Sequence, residues 1–234
     1  MLKWAGKTVY EQMWKPLLIG KFGPYYKDVN MAWMWARIKA RTTRLGTFEG
    51  GFQKFADLFA EKLRKLGVEI KLNVQIKSIK QDRSTGSLTV DDESFDKVLV
   101  TTSPNLMARL CPYLPENYLK GLLELKSMGA VVMTLALKHS LSQDGYYWFN
   151  VPKDEGYPFL ALVEHTNFVP SENFGGDHIM YAGDYLELDH EYFSMSDNEL
   201  LERFIPAFQK FNPEFSRDWV KKIWVHKTNY AQPV

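Results

Sequence analysis

The residue types that most often carry out chemistry are few in this sequence, and their spacing matches no metal site. The histidines show neither the HxxxH nor the HExxH spacing that places two imidazoles on one helix face. They are His139, His165, His178, His190 and His226. The single cysteine, Cys111, excludes an internal disulfide or a multi-cysteine metal site, and we expect its thiol to be buried and inert. We therefore predict no metal ligands and no catalytic residue.

Glu164 and His165 are an adjacent acid and imidazole within a segment that we predict to be a strand. Because neighbouring residues of a strand point to opposite faces, the two side chains cannot act as one acid–base pair. Two interpretations of His165 remain open. It is either a polar residue of a ligand pocket or a histidine held at the surface or in a structural hydrogen bond.

Gly50 and Gly51 form a pair of adjacent glycines. Without a Cβ, such a pair lets the backbone turn sharply and lets another group approach it closely. The simpler interpretation is a plain turn before a helix.

The segments that follow the glycine pair have regularly spaced apolar residues. Apolar residues recur at helical spacing over 52–66, and Gly67 is suited to end that helix. The period then changes to two over 68–76, which predicts an alternating strand. We predict a hairpin loop at 82–86 and a second, continuously apolar strand over 97–102.

The remaining chain reads as further helices and strands without repeats. One predicted helix covers 8–19, with a kink or a new start at Pro16. A second begins at a cap formed by Asp28 or Asn30 and ends at about residue 44. Further helices are predicted over 106–111, 115–125 and 197–211. Predicted strands cover 128–137, 146–151, 159–163, 178–185 and 220–227. This order is typical of an α+β fold.

The composition is that of an ordinary globular protein. The chain has 234 residues, 45% of them hydrophobic and 24% charged, with a net charge of +1. This balance gives no reason to expect nucleic acid as a partner. No apolar run approaches the roughly 18 residues that cross a bilayer, and no secretory signal is present. We expect a cytoplasmic protein, and leave peripheral membrane association open.

Taken together, these motifs resemble a known family. The glycine pair, the helix ending at Gly67, the strand over 68–79 with its hairpin and the run 98–104 are similar to the middle of the FAD-dependent amine oxidase superfamily. That superfamily includes monoamine and polyamine oxidases, protoporphyrinogen oxidase, and phytoene and squalene desaturases. The flanking stretches 14–33 and 164–185 resemble bacterial protoporphyrinogen-oxidase-like members. The resemblance covers nearly the whole chain.

The resemblance implies an internal fragment, because the family holds FAD on a G-x-G-x-x-G turn that this sequence lacks. A substrate-binding domain built on a mixed sheet would comprise 1–45 and 112–228. The segment 46–111 would be part of the FAD-binding domain, a hairpin and strand unit without the Rossmann N-terminus. Residues 229–234 would return toward a further FAD-binding segment.

The resemblance also implies site residues. Gly50 and Gly51 match the pair beside the flavin, and Val74 matches the strand against the FAD adenosine. Thr101, Thr102 and Ser103 match the strand end near the dinucleotide. For Val74 the alternative is an ordinary strand core residue, and for the run 101–103 it is a strand end with a local Ser-Pro turn.

Met133 stands where amine oxidases of the family carry a lysine, which favours the desaturase or porphyrinogen-oxidase branch with its large apolar substrates. We predict Met133 and His165 as substrate-binding residues.

The first functional hypothesis is the substrate-binding part of an FAD-dependent oxidoreductase. It would oxidise a C–H or C–N bond of a small-molecule substrate, apolar or an amine, by hydride transfer to FAD, together with the missing FAD-domain segments. We expect the 234-residue chain alone to be inactive and to bind FAD weakly or not at all. The alternatives are a non-catalytic module that binds a large apolar ligand or a protein partner, and a purely structural remnant.

Overall fold

The computed structural model describes residues 1–42, 44–82, 84–152 and 155–234. Over this part of the chain the fold is α+β with two antiparallel sheets, so the predicted fold class is confirmed. The larger sheet differs from the prediction in one respect: its described pairings are all antiparallel, rather than mixed.

The chain divides into two compact units. The first comprises Met1–Lys39 and Ser127–Val234, and the second comprises Ala40–Lys126. The sequence-based boundaries placed 112–126 with the first unit, whereas the structure groups these residues with the second.

The helices, in chain order, are α1 (Leu2–Ala5), α2 (Lys7–Val9), α3 (Lys15–Phe22), α4 (Met31–Lys39), α5 (Gly51–Lys65), α6 (Pro104–Leu110), α7 (Glu116–Glu124) and α8 (Asp197–Phe211). The strands are β1 (Ile79–Gln81), β2 (Leu88–Val90), β3 (Glu93–Phe95), β4 (Ser127–Leu137), β5 (Trp148–Asn150), β6 (Ala161–Glu164), β7 (His178–Leu186) and β8 (Val220–Pro233). A π-helical turn covers Tyr10–Trp14, and 3-10 turns cover Gly23–Lys27, His165–Asn167, Ser171–Phe174, Glu191–Phe193 and Arg217–Trp219.

The N-terminal helices follow the predicted break at Pro16. The π-helical turn ends at Trp14, and α3 begins at Lys15 with the proline in its first turn. Proline fits there because the first N–H groups of a helix have no partner within the helix. Before α4, the side chain of Asn30 accepts a hydrogen bond from the Trp33 N–H at 3.0 Å, so one of the two predicted caps is present.

The first unit is built on a five-stranded sheet in the order β5-β6-β7-β4-β8. One face of this sheet packs against α8. Alternate residues of β4, namely Val131, Met133, Leu135 and Leu137, are buried there with the apolar side of α8. Burial of each such side chain stabilises the fold by about 1.5–3 kcal/mol, so this layer is the main core.

The opposite face, which we call the outer sheet face, carries the other set of alternate residues. Residues that pair directly across antiparallel strands share a face. Val132 pairs with Gly183, and Thr134 pairs with Tyr181 on β7. The outer sheet face consists of Trp148, Asn150, Ala161, Val163, Ile179, Tyr181, Gly183, Tyr185, Ala130, Val132, Thr134, Ala136, Lys222, Trp224, His226 and Thr228.

The second unit has a three-stranded sheet in the order β1-β2-β3 and a small core. Ile79, Leu110 and Cys111 are its buried apolar residues. The long amphipathic helix α5 begins and ends where its period predicts, but none of its side chains is buried.

The predicted strands over 68–76 and 97–102 are not formed. Neither segment pairs with another strand in the part of the chain that the structure describes. Asn73 has a φ of 60°, a left-handed conformation that asparagine tolerates, and it breaks the alternating pattern of the first segment. A strand also needs a partner for its backbone groups, which a side-chain period does not supply. The predicted hairpin loop includes Arg83, which lies outside the described residues.

Candidate functional site

An open cleft of ≈ 900 Å³ lies in the second unit. Its walls are formed by the segments 73–77 and 98–102 and by one side of α6. The described lining residues combine apolar side chains with the hydroxyl groups of Thr101 and Thr102 and the cations of Lys77 and Arg109, and they include no Asp or Glu. The cleft is therefore suited to a ligand that has a flat apolar part and negative charge.

The cleft contains three of the predicted cofactor residues. Val74 lines it together with Thr101 and Thr102, which lie more than 25 residues after Val74 in the sequence. Ser103, Gly50 and Gly51 are not among its lining residues. The structure thus brings together the two segments that the resemblance assigned to the dinucleotide, but not the glycine pair.

Ser103 has a structural role beside the cleft. Its hydroxyl oxygen accepts a hydrogen bond from the Leu106 N–H at 3.4 Å and so caps α6, with Pro104 in the first turn. Leu106, Arg109 and Leu110 are three and four residues apart and line the cleft on one side of this helix. The cap therefore sets the direction in which Arg109 is presented.

Asp91 fixes the other wall. It has a φ of 50°, and its carboxylate accepts hydrogen bonds from the backbone N–H groups of Lys77 at 2.9 Å and Ser78 at 2.8 Å. These bonds attach the end of the segment 73–77 to the turn between β2 and β3.

Gly50 and Gly51 form a tight turn before α5. Their φ angles are 78° and 80°, a region that other residues rarely adopt, and the Gly51 N–H donates to the Phe48 carbonyl at 2.9 Å. A Cβ on Gly51 would meet no atom of the chain within 4 Å. The backbone conformation explains both glycines, and the space beside Gly51 is open to another group.

His165 lies in an aromatic setting in the first unit. Its ring centroid is 5.5 Å from those of Phe174 and Tyr181 and 6.4 Å from that of Tyr147. Burial lowers the pKa of His165 and raises the pKa of Tyr181, so both rings favour their neutral forms near pH 7. A neutral imidazole beside the outer sheet face can donate or accept one hydrogen bond to a ligand.

Met133 occupies the other side of the sheet. Its side chain is 0% exposed, in the core between β4 and α8. This position argues against the predicted contact with a substrate, because a ligand on the outer sheet face would meet Val132 and Thr134 instead.

Sequence reasoning missed Lys77, Arg109 and Tyr181. Arg109 could have been found as the one charged residue on the apolar side of a short predicted helix. No group of three or more His, Cys, Asp or Glu side chains among the described residues could hold a metal ion. No helix in the described ranges is long and apolar enough to cross a membrane.

Comparison with known proteins identifies one family across almost the whole sequence. The family described as flavin containing amine oxidoreductase matches residues 1–233. No curated protein sequence matches the chain significantly.

Three solved structures illustrate the proteins to which the fold of this chain is similar. A candidate protoporphyrinogen oxidase from Exiguobacterium sp. 255-15 is similar with a TM-score of 0.69 and 17% identity, over 97% of this chain and 53% of that one. Reduced UDP-galactopyranose mutase has a TM-score of 0.63 and 14% identity, over 97% and 53% of the two chains. Putrescine oxidase bound to putrescine has a TM-score of 0.52 and 14% identity, over 76% and 38%. The present chain thus spans about half the length of the structures it matches best in this group.

Proposed function

This chain belongs to the family of flavin containing amine oxidoreductases, and on that basis we propose that it is the substrate-binding part of an FAD-dependent oxidoreductase. In the whole protein, bound FAD would supply the two-electron acceptor for oxidation of a C–H or C–N bond, with the hydride leaving from the carbon atom that is oxidised. The residues of this chain orient the substrate and exclude water, and no protein nucleophile is required.

The cleft in the second unit is the observation that carries the proposal. Its apolar walls suit an adenine ring, and the hydroxyl groups of Thr101 and Thr102 suit a ribose. The cations of Lys77 and Arg109 suit a diphosphate, and the described lining residues add no negative charge to oppose it. These residues fit the adenosine diphosphate half of FAD, with Val74 in the wall beside the adenosine.

We propose that other segments supply the rest of the cofactor site. The sequence has no G-x-G-x-x-G turn to receive the pyrophosphate. Gly50 and Gly51 are proposed to lie beside the flavin, where the open space at Gly51 permits close approach. Ser103 acts indirectly, through the cap of α6.

We assign further FAD-domain segments as the partner of the second unit. The apolar side of α5 is uncovered: the side chains of Phe52, Phe55 and Phe59 are 71%, 42% and 51% exposed. Phe55 stacks on Phe48 and Phe59 at centroid distances of 4.2 and 5.8 Å. Such an aromatic stripe normally packs against a sheet or another helix, and FAD-domain segments of the whole protein would cover it.

The proposed substrate surface is the outer sheet face in the first unit. Its aromatic and small side chains suit an apolar or amine substrate, and His165 beside Tyr181 supplies a polar contact. The burial of Met133 removes it from this surface.

Titration of the 234-residue chain with ADP, FAD and FMN tests the cofactor assignment. We expect weak binding of ADP and FAD, and no binding of FMN, which lacks the adenosine. Arg109→Ala should weaken ADP binding about tenfold, the effect of one charge-assisted contact, whereas Arg64→Ala on α5 should not.

Three outcomes would count against the proposal. Equal binding of FMN and FAD would contradict the assignment of the cleft to the adenosine of FAD. No ADP binding up to millimolar concentrations would show that the cleft does not bind the adenosine diphosphate half of FAD. Tight binding of a porphyrin or polyprenoid without any flavin requirement would favour a non-catalytic binding module.

A further inference from the structure

Lys21 is a half-buried cation beside the outer sheet face. Its Nζ lies 4.8 Å from the ring centroid of Tyr185 and 5.8 Å from that of Phe22. No carboxylate among the described residues forms an ion pair with Lys21. A cation that has lost part of its hydration and has aromatic rings but no described carboxylate beside it favours an anionic ligand.

The end of α3 holds Lys21 in place. A Cβ on Gly20 would lie 2.3 Å from the Leu160 Cδ1, so a larger residue there would have to displace the Leu160 side chain. On the other side of Lys21, Phe22 is 2% exposed and meets the Trp33 ring edge-on at 4.9 Å. Because both sequence neighbours are packed, the backbone of Lys21 is held beside the outer sheet face.

Arg37 supplies a second cation close to the first. It follows Trp33 by one helical turn on α4, with its guanidinium carbon 5.8 Å from the Trp33 ring centroid. Burial is the main cause that lowers the pKa of Lys21, and the charge of Arg37 lowers it further. Arg37 also forms no ion pair with a described carboxylate. Two like charges near each other are unfavourable alone, and a bound anion would relieve both.

The sheet beside Lys21 presents small apolar side chains on its outer face. Tyr185 pairs with Ala130, and the next outward pair along the strands is Gly183 with Val132. Tyr181 follows at the far end of this row. Small side chains therefore form a floor between two tyrosines, and one end of that floor is cationic.

We propose that Lys21 and Arg37 bind the carboxylate or phosphate group of a ligand whose apolar body lies on the outer sheet face. The assignment of that ligand as the enzyme's substrate rests on the proposed function. It narrows the substrate class to apolar molecules with an anionic end.

A matched pair of probes tests the subsite. Pyrenebutyric acid and its methyl ester share an apolar body and differ in the carboxylate, and the quenching of tryptophan fluorescence reports their binding. We expect the acid to bind about tenfold more tightly than the ester at pH 7. In the double variant Lys21→Met/Arg37→Met the preference should disappear while ester binding stays unchanged. Lys39→Met, which removes an exposed cation from the same helix, is the matched control.

Competition distinguishes the two anions: acetate and inorganic phosphate at equal concentration would displace the acid to different extents. Equal binding of acid and ester, or a preference that survives in the double variant, would overturn the proposal. So would absence of acid binding. The measurement needs no flavin, and its probes bind the first unit, so its failure is distinct from failure of the ADP titration in the second unit.

Discussion

At the scale of single residues, Glu164 shows how a buried charge is used for structure. Its carboxylate accepts hydrogen bonds from the N–H groups of Leu141 at 2.7 Å and Ser142 at 3.1 Å. The Ser140 hydroxyl donates to it at 3.0 Å and the Asn167 amide at 3.4 Å. These bonds tie the loop that follows β4 to the end of β6, so the Glu164 carboxylate has a structural role, whereas the ring of His165 lies beside Tyr181 on the outer sheet face.

We predict that Glu164→Gln destabilises the first unit by roughly 2 kcal/mol, because it removes a charge-assisted acceptor and points an amide donor at backbone N–H groups. Urea unfolding followed by tryptophan fluorescence measures the change. Glu172→Gln, an exposed substitution in a 3-10 turn, should leave the midpoint in place. Similar midpoints for the two variants would show that the buried network contributes little.

Met133 marks the limit of sequence reasoning at this scale. The period of two correctly predicts that alternate residues of β4 face opposite sides, but Val131, Val132 and Met133 are all apolar. A run that is apolar on both sides does not reveal which side packs against α8. Val74 and Thr101 were singled out for a different reason: the resemblance is carried by the motifs around these two residues, and both line the cleft.

At the scale of elements, α8 is the helix whose bounds the sequence predicts most accurately. Predicted over 197–211, it spans Asp197–Phe211. The Ser196 hydroxyl accepts from the Glu199 N–H, and the Ser196 N–H donates to the Glu199 carboxylate at 2.7 Å. This capping box gives the helix a defined start.

The capping box predicts a pH dependence. Hydrogen bonds from the backbone and side chain of Ser196 lower the pKa of Glu199 below its ordinary value. A lowered folded-state pKa stabilises the helix at pH values above the unfolded-state pKa, and this stabilisation is lost as the pH falls through the folded-state pKa. Thermal midpoints of the unmodified chain and Glu199→Gln should therefore differ at pH 7 and converge as the pH falls through the lowered pKa of Glu199. A constant difference across that range would contradict the role of the carboxylate, and Glu172→Gln is again the control.

The strands separate into two groups by what they pair with. The predicted strands over 128–137 and 178–185 form β4 and β7, which pair along nine residues of each strand. The segments 68–76 and 97–102 have patterns at least as clear, yet no described strand pairs with them. Periodicity predicts to which face the side chains point. A strand also needs a neighbouring strand to pair with its backbone groups, and the pattern of the segment does not identify that neighbour.

At the scale of the whole molecule, the two units have unequal cores. The first has a continuous apolar layer between its sheet and α8, and the second has a small cluster around Ile79, Leu110 and Cys111. All seven tryptophans lie in the first unit. They are Trp4, Trp14, Trp33, Trp35, Trp148, Trp219 and Trp224. The single cysteine lies in the second unit and is 2% exposed.

This distribution allows each unit to be observed separately. We predict that the Cys111 thiol becomes reactive toward a thiol reagent at a lower urea concentration than the tryptophan fluorescence transition, because a smaller core confers less stability. Coincident midpoints would instead show that the two units unfold as one. Ser142→Cys at a buried position in the loop after β4 of the first unit, combined with Cys111→Ser, is the matched control and should follow the tryptophan signal.

The position of β8 at the edge of the five-stranded sheet affects solubility. This strand is 14 residues long, and its outer backbone groups pair with no described strand, so it could template pairing with a second molecule. Lysines occupy positions 221, 222 and 227, and positive charges on an edge repel a second copy of the same strand. The lysines that flank the exposed Trp224 ring therefore oppose association of two molecules through this edge strand, and added salt, which screens charges at the surface, weakens that opposition.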